Sequence, residues 1–419
     1  MSDAPMADAP VSAEPAAEPG AARGRAQAQG WLLLAGLTLG VCVTNGFARF
    51  AYGLILPAMR EDLGWTYAEA GWLNTANAFG YVFGALATLA LSQRVSASRL
   101  FGVGMVGCSA FLFATGFTAD YHAQTAWRAL TGVFGAAAFV AGGALSAAMH
   151  RDDPRRNAMA IALYFGLGGA LGMVLSGAVL PFLFEARGPG AWPEAWRMLG
   201  GASLIFCPLC VWAAERLRPP RPPSGAPRAA RSKLPVRAMA AEIAGYGCFG
   251  LGYIVYVTFI VALIAAREAG PALVAATWVA IGLGIALSPF AWRGIFARHA
   301  SGRPLAMVLA VMAAGTWLPV ATGSLAGLMV SALLVGLTVF MAPGAVTAFS
   351  RRNLPEAAWT SGVSLFTLVF AIGQTIGPVA AGALGDAFGD IGPGIAAAGG
   401  ILALGAGISL LQRPLAPPR

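Results

Sequence analysis

Apolar residues fall in long runs along this chain, and polar residues gather between the runs. Twelve runs approach or exceed the roughly 20 residues that a helix needs to cross a bilayer. They lie at about 31–56, 69–92, 99–118, 122–148, 157–184, 196–214, 239–265, 272–296, 304–322, 324–349, 359–384 and 392–412. Residues 1–30 are rich in Ala, Pro and Glu and hold no apolar run, which predicts a disordered tail, not a signal peptide. Residues 215–238, dense in Arg and Pro, predict a linker. The expected organisation is therefore a tail at 1–30, a six-helix half at 31–214, a linker at 215–238 and a second six-helix half at 239–413. The fold class is an all-α polytopic membrane protein, with twelve transmembrane helices in two pseudo-symmetric six-helix bundles.

Composition supports this pattern. Of 419 residues, 58% are hydrophobic and 11% are charged, against roughly 25% charged in a soluble domain. That excludes a soluble enzyme, a secreted disulfide scaffold and a disordered chain. The formal charge of +9 does not point to nucleic acid, because the basic residues sit at the ends of apolar runs and form no patch. All of them except Lys233 are arginines. With the sides alternating from an inside N-terminus, Arg60, Arg187, Arg197 and Arg267 fall outside, Arg49 and Arg128 fall within the membrane, and all the others fall inside. This sorting predicts cytoplasmic termini in a bacterial inner membrane.

Little suggests covalent or metal chemistry. Cys207 and Cys210 have redox spacing, but Leu204, Ile205, Phe206 and Leu209 around them predict a buried helix. His122, His150 and His299 share no ligand spacing. No Walker-type Gly-Lys-Ser/Thr is present, so no ATP is expected. The chain is expected to use no cofactor or metal and not to be an enzyme.

Charges and polar stripes within the apolar runs carry the functional signal. A mid-membrane Arg costs about 2.5–3.5 kcal/mol on insertion scales, so it must face protein or water. Arg49 and Arg128 are two such residues, and no Asp or Glu lies mid-helix; Glu69, Glu242 and Asp386 lie near helix ends. Asn45, Arg49 and Tyr52 are spaced to share one helix face. Asn74, Asn77 and Tyr81 form a second stripe, facing a cavity or gate or serving as interhelical glue. Tyr246, Phe249, Tyr253 and Tyr256 form an aromatic stripe in the seventh run, and Phe366, Phe370 and Gln374 another in the eleventh. These stripes either line a cavity or only pack. Gly80 with Gly84, Gly168 with Gly172, and Gly373 with Gly377 permit close helix approach, which suits either sliding between halves or static packing. Pro57, Pro343 and Pro378 could kink helices where gates move.

The stretch NGFARFAYGLILPAMREDLGWTYAEAGWLNTANAFGY at 45–81 and GQTIGPVAAGALGD at 373–386 resemble the bacterial YbfB/YjiJ branch of the major facilitator superfamily (MFS). Basic loops ahead of Gly-rich helices recur in both halves, at 151–177 and 351–382. The resemblance implies that the first and fourth helices line a central cavity, placing Arg49 and Arg128 at or beside the path. Arg128 and Gly132 match the superfamily's fourth-helix motif. Gly168, Gly172 and Gly177 match its fifth-helix glycine motif without the Gly-Pro pair, which appears instead as Gly377-Pro378. The family's Asp-based latch after the second helix has no acid to match it, since none lies between Glu69 and Asp120.

The expected function is secondary transport of a small organic solute by alternating access. Two cations without a buried acid favour an anion that Arg can grip. Proton linkage, ranked first on the resemblance, would run through Arg128, Glu69 or Asp386, or on the cargo, with uniport or exchange as the remaining option. Export of amphipathic compounds is the alternative. The expected partners are this cargo and the lipid bilayer, and a monomer is expected to suffice.

Overall fold

The computed structural model describes residues 19–92, 94–150, 153–217, 234–267 and 270–415. Most of the predicted tail and linker, at 1–18 and 218–233, lies outside these. The described part of the tail is corrected: the backbone is helical from Pro19. The Ala-, Arg- and Gln-rich composition of 21–29 explains this, because all three residues are strong helix formers.

The described residues form twelve long helices. Helix α1 starts at Pro19–Val41, passes through a π-helical stretch at Cys42–Phe50 and ends as Tyr52–Leu63. The rest of the first half is α2 Tyr67–Leu91, α3 Ala97–Ala114, α4 Tyr121–Ala147, α5, and α6 Trp192–Arg216. Helix α5 spans Met159–Arg187, with a π turn at Leu163–Leu167. The second half is α7 Ala240–Ala265, α8 Pro271–Arg298, α9 Arg303–Thr322, α10 Leu325–Asn353, α11 Glu356–Phe388 and α12 Gly392–Leu410. Eleven of the helices are apolar enough to cross a membrane on their own sequence. Helix α2 is the exception, because Asn74 and Asn77 dilute its apolar run, yet it packs between α4 and α11 like any other.

Local sequence sets the boundaries. Thr66 caps α2 in a reciprocal capping box with Glu69, and Ser96, Asp120 and Ser324 cap α3, α4 and α10. Gly64 (φ 68°) stops α1, and Gly389 (φ 68°) stops α11, in the left-handed region that favours glycine.

Packing repeats between the halves. Contacts of α1 with α5, α2 with α4 and α3 with α6 recur as α7 with α11, α8 with α10 and α9 with α12. The halves meet through α2 against α11 and α5 against α8, a pair that the same exchange swaps. Parallel six-helix repeats related in this way are a transporter architecture.

Candidate functional site

A cavity of about 800 Å³ lies between the halves, within the size range of sites for small organic molecules. The buried charge in its lining is Arg49, in the π-helical stretch of α1. Its mouth, at the end of the bundle where the linker joins, is flanked by the exposed Arg293 and Arg351. Aromatic rings make much of its wall, including Tyr81 and Phe139 of the first half and Phe249, Tyr253 and Phe370 of the second. Among the described residues, no Asp or Glu lines it.

Arg49 ties the halves together at the cavity floor. Its guanidinium donates to the Tyr253 hydroxyl at 2.9 Å and to Gln374 Oε1. It also lies over the Tyr81 ring, 5.2 Å from the centroid. Its Nε has no hydrogen-bond partner. Behind it, Phe249, Tyr253 and Phe370 stack with centroids 4.7–5.6 Å apart and planes within 30°. Tyr246 stacks on the far side of Phe249 and meets Phe366 edge-on, so Tyr246 and Phe366 support the slab and do not line the cavity.

The expected stripe on α1 divides. Asn45 and Arg49 face the cavity, but Tyr52 does not. The π stretch, where Ala51 N–H bonds Gly46 O at 2.9 Å, adds a residue to the turn and rotates the next residues by about a quarter turn relative to an α-helix. Tyr52 instead donates to Ala70 O at 2.7 Å and stacks on Trp196.

Arg128 is a correction to the expected positive cavity. It is fully buried, donates to Ala48 O at 2.6 Å and lies over the rings of Tyr52 (4.8 Å) and Trp196 (5.2 Å). It therefore sits outside the cavity wall and holds the backbone next to Arg49 in place. The α2 stripe also divides: Asn74 donates to Thr258 of the second half at 2.5 Å, Asn77 to Arg128 O at 3.1 Å, and only Tyr81 reaches the cavity. Tyr256 bonds Ser331 at 2.7 Å inside the second half.

At the end opposite the cavity mouth the halves are closed. Asp386 of α11 accepts the main-chain N–H groups of Tyr67 (2.7 Å) and Ala68 (2.9 Å). Thr75 donates to Thr375 O at 2.8 Å. A Cβ on Gly71 would stand 2.6 Å from Pro378 O, and one on Gly382 2.5 Å from Tyr67 O. Glu69 is engaged locally, accepting from Thr66 in the capping box.

The glycine pairs named from sequence all face partners within their own half, so sliding between halves does not occur at them. Gly80 and Gly84 face Ala129 and Val133, Gly132 faces Asn77, Gly168 faces Thr38, Gly172 faces Gly46, and Gly373 and Gly377 face Leu251. Spacing reveals a face that permits close approach but not which helix uses it.

Sequence reasoning missed Arg293 and Arg351 because they count among the basic residues of the loop side. It missed Phe50, Phe139, Phe165, Phe296 and Phe340 because single aromatics on apolar helices form no pattern. The signal that could have found Arg293 is depth, since it lies more than a turn inside the end of α8, whereas Arg351 stands in the last turn of α10 and lies over the Trp359 ring, 5.7 Å from its centroid.

No curated protein matches the chain. Solved structures share its architecture. A bacterial homologue of the human lysosomal transporter Spinster, inward-facing and unoccupied, has TM-score 0.62 at 17% identity, covering 92% of this chain and 95% of its own. The nucleoside transporter NupG has TM-score 0.62 at 13% identity, covering 92% and 97%. The human organic anion transporter MFSD10 has TM-score 0.59 at 15% identity, covering 90% and 99%. These identities show the fold alone. The family model described as "Uncharacterised MFS-type transporter YbfB" matches residues 41–410, nearly the whole helical region. The chain belongs to that family of the major facilitator superfamily and is a multi-pass secondary transporter, not an enzyme.

Proposed function

We propose that the chain carries a small organic anion across the bacterial inner membrane by alternating access, and that its cavity is open toward the cytoplasm in this conformation. The observation that carries this reading is the charge of the cavity: Arg49 at its floor and Arg293 and Arg351 at its mouth, with no acid among the described lining residues. A carboxylate can grip a guanidinium through two charge-assisted hydrogen bonds. Arriving at Arg49, it would compete with Gln374 and Tyr253, the contacts that join the halves at the floor. The orientation rests on the basic residues gathered at the linker end.

A second reading, export of amphipathic compounds, is favoured by the aromatic wall. Cationic drugs would need an acid in the cavity, so that reading ranks second. A nucleoside transporter and an organic anion transporter among proteins of this fold are consistent with an organic cargo. Both halves of one chain build the cavity, so a monomer suffices for the cycle. Proton linkage is the expected energy source, with Arg128 and Asp386 acting on the conformational equilibrium and Glu69 on the start of α2.

The test is flux. Proteoliposomes are loaded with a mixture of aromatic and aliphatic carboxylates, neutral nucleosides and lipophilic cations, and the efflux is identified by mass spectrometry. Selective efflux of carboxylates supports the reading, and selective efflux of cations overturns it.

A further inference from the structure

Away from the cavity, at the first turn of α7, Glu242 is 1% exposed and is the one acidic side chain buried among the described residues. Neither of its carboxyl oxygens has a hydrogen-bond partner. The groups around it are committed elsewhere. Gln412, just beyond α12, accepts the Glu242 main-chain N–H (3.2 Å) on Oε1 and donates through Nε2 to Ala238 O (2.9 Å) and Arg413 O (2.8 Å). Gly302, in the connection between α8 and α9, donates its N–H to Gln412 O at 3.0 Å. Ser409 on α12 is fully buried, and its hydroxyl is also without a partner.

The α8–α9 connection closes directly over this carboxyl. A Cβ at Gly302 would stand 2.6 Å from Glu242 Oε2 and 2.1 Å from Ser409 O. Only glycine lets the connection seat there, and the carboxyl oxygen and the Ser409 carbonyl border the same small space. The charged and titratable groups on the surrounding elements are Arg237 before α7, Arg298, His299 and Arg303 around the connection, and Arg413 after α12. The arginines are exposed, and His299 Nδ1 lies 3.1 Å from Ile295 O. None of these groups is bonded to either Glu242 oxygen.

A bare carboxylate enclosed without a cation or donor is strongly unfavourable. A proton removes the charge and turns the group into a donor, with the Ser409 carbonyl bordering the same space. A single enclosed carboxyl is neutralised by one proton, the smallest cation, which needs no further ligand. We propose that Glu242 is a proton-binding site: it holds a proton while the α8–α9 connection is seated and releases it to the linker-side solvent when the connection lifts. Loss of the proton leaves a bare carboxylate under the seated connection and so favours the lifted form. The site lies outside the cargo cavity, wholly within the second half.

Two readouts on the full-length protein, with no cargo present, test this. In infrared titrations, wild type shows a protonated-carboxyl band that disappears as pH rises, and Glu242→Gln lacks that band while keeping the same amide spectrum. In hydrogen–deuterium exchange, peptides covering 298–303 exchange faster as pH rises in wild type, after correction for intrinsic rates, and stay protected at every pH in Glu242→Gln. Loss of both pH responses in the variant is the expected result. Three results overturn the proposal: identical titration of variant and wild type, a carboxylate signal in wild type at all pH values, or removal of the band by sodium at constant pH. If the variant does not fold, the wild-type infrared titration decides alone. The outcome is independent of whether anions are the cargo.

Discussion

Asp386, at the end of α11, holds the first turn of α2 by accepting the N–H of Tyr67 at 2.7 Å and that of Ala68 at 2.9 Å. A carboxylate at a helix N-terminus satisfies orphan donors and meets the positive end of the helix dipole. The contact spans the two halves, at the end opposite the cavity mouth. The loop after α2, at the other end, has no Asp to make such a contact there. Hydrogen bonds to charged groups contribute about 1.5–3 kcal/mol, and the exposure of Asp386 puts it at the low end. Asp386→Ala should shift the conformational balance about tenfold toward the form open at that end. Accessibility of a cysteine introduced near Tyr67 to a membrane-impermeant reagent measures the shift.

Arg49 and Arg128 should separate cleanly. Arg128→Leu removes the donor to Ala48 O and the cation between Tyr52 and Trp196. A lost hydrogen bond from a charged donor costs about 1.5–3 kcal/mol, so the melting temperature should fall by several degrees with no cargo present. Arg49→Gln should melt close to wild type, since Tyr253 can still bond Gln374, yet lose its response to cargo. Melting curves of the two variants check this pair of outcomes.

Arg293 and Arg351 should act through long-range attraction. Both are exposed at the cavity mouth, where salt screens charges beyond about 8–10 Å. Neutralising both to Gln should slow anion uptake several-fold at low salt and leave little difference at high salt. Initial uptake rates across a salt series give the answer.

Two glycines should behave oppositely on substitution by alanine. At Gly80 the new Cβ would meet Ala129 O at 1.9 Å, inside the first half, and the contact belongs to every conformation. Gly80→Ala should lower stability by about 1–3 kcal/mol, as overpacking does. At Gly71 the new Cβ would meet Pro378 O at 2.6 Å across the closed interface. Gly71→Ala should instead favour the form in which that interface is open, with little loss in melting temperature. Paired melting and accessibility measurements distinguish the two effects.

The fold is legible in the sequence because bilayer thickness imposes a length on every apolar run, and even the Asn-diluted α2 keeps enough of one to be found. Much of the site is not, for reasons of geometry. Helical spacing puts Tyr52 on the Arg49 face, and the π stretch at Cys42–Phe50 rotates it away. The resemblance puts Arg128 at or beside the path, and aromatic and backbone contacts enclose it one layer behind the cavity. Gly80, Gly172 and Gly377 are visible as close-approach positions, while their partners depend on which helices meet. Asp386 is visible as an acid near a helix end. Its bond to a helix separated by more than 300 positions emerges only from the folded chain.

The central claim is that Arg49 is the cargo's counter-charge. Thermal-shift screens of the wild-type protein and Arg49→Gln, against compounds grouped by charge, test it most directly, since a ligand that binds the folded state raises its melting temperature. Organic anions should stabilise wild type, and the variant should lose this response. Stabilisation by lipophilic cations alone, or an unchanged anion response in Arg49→Gln, would contradict it.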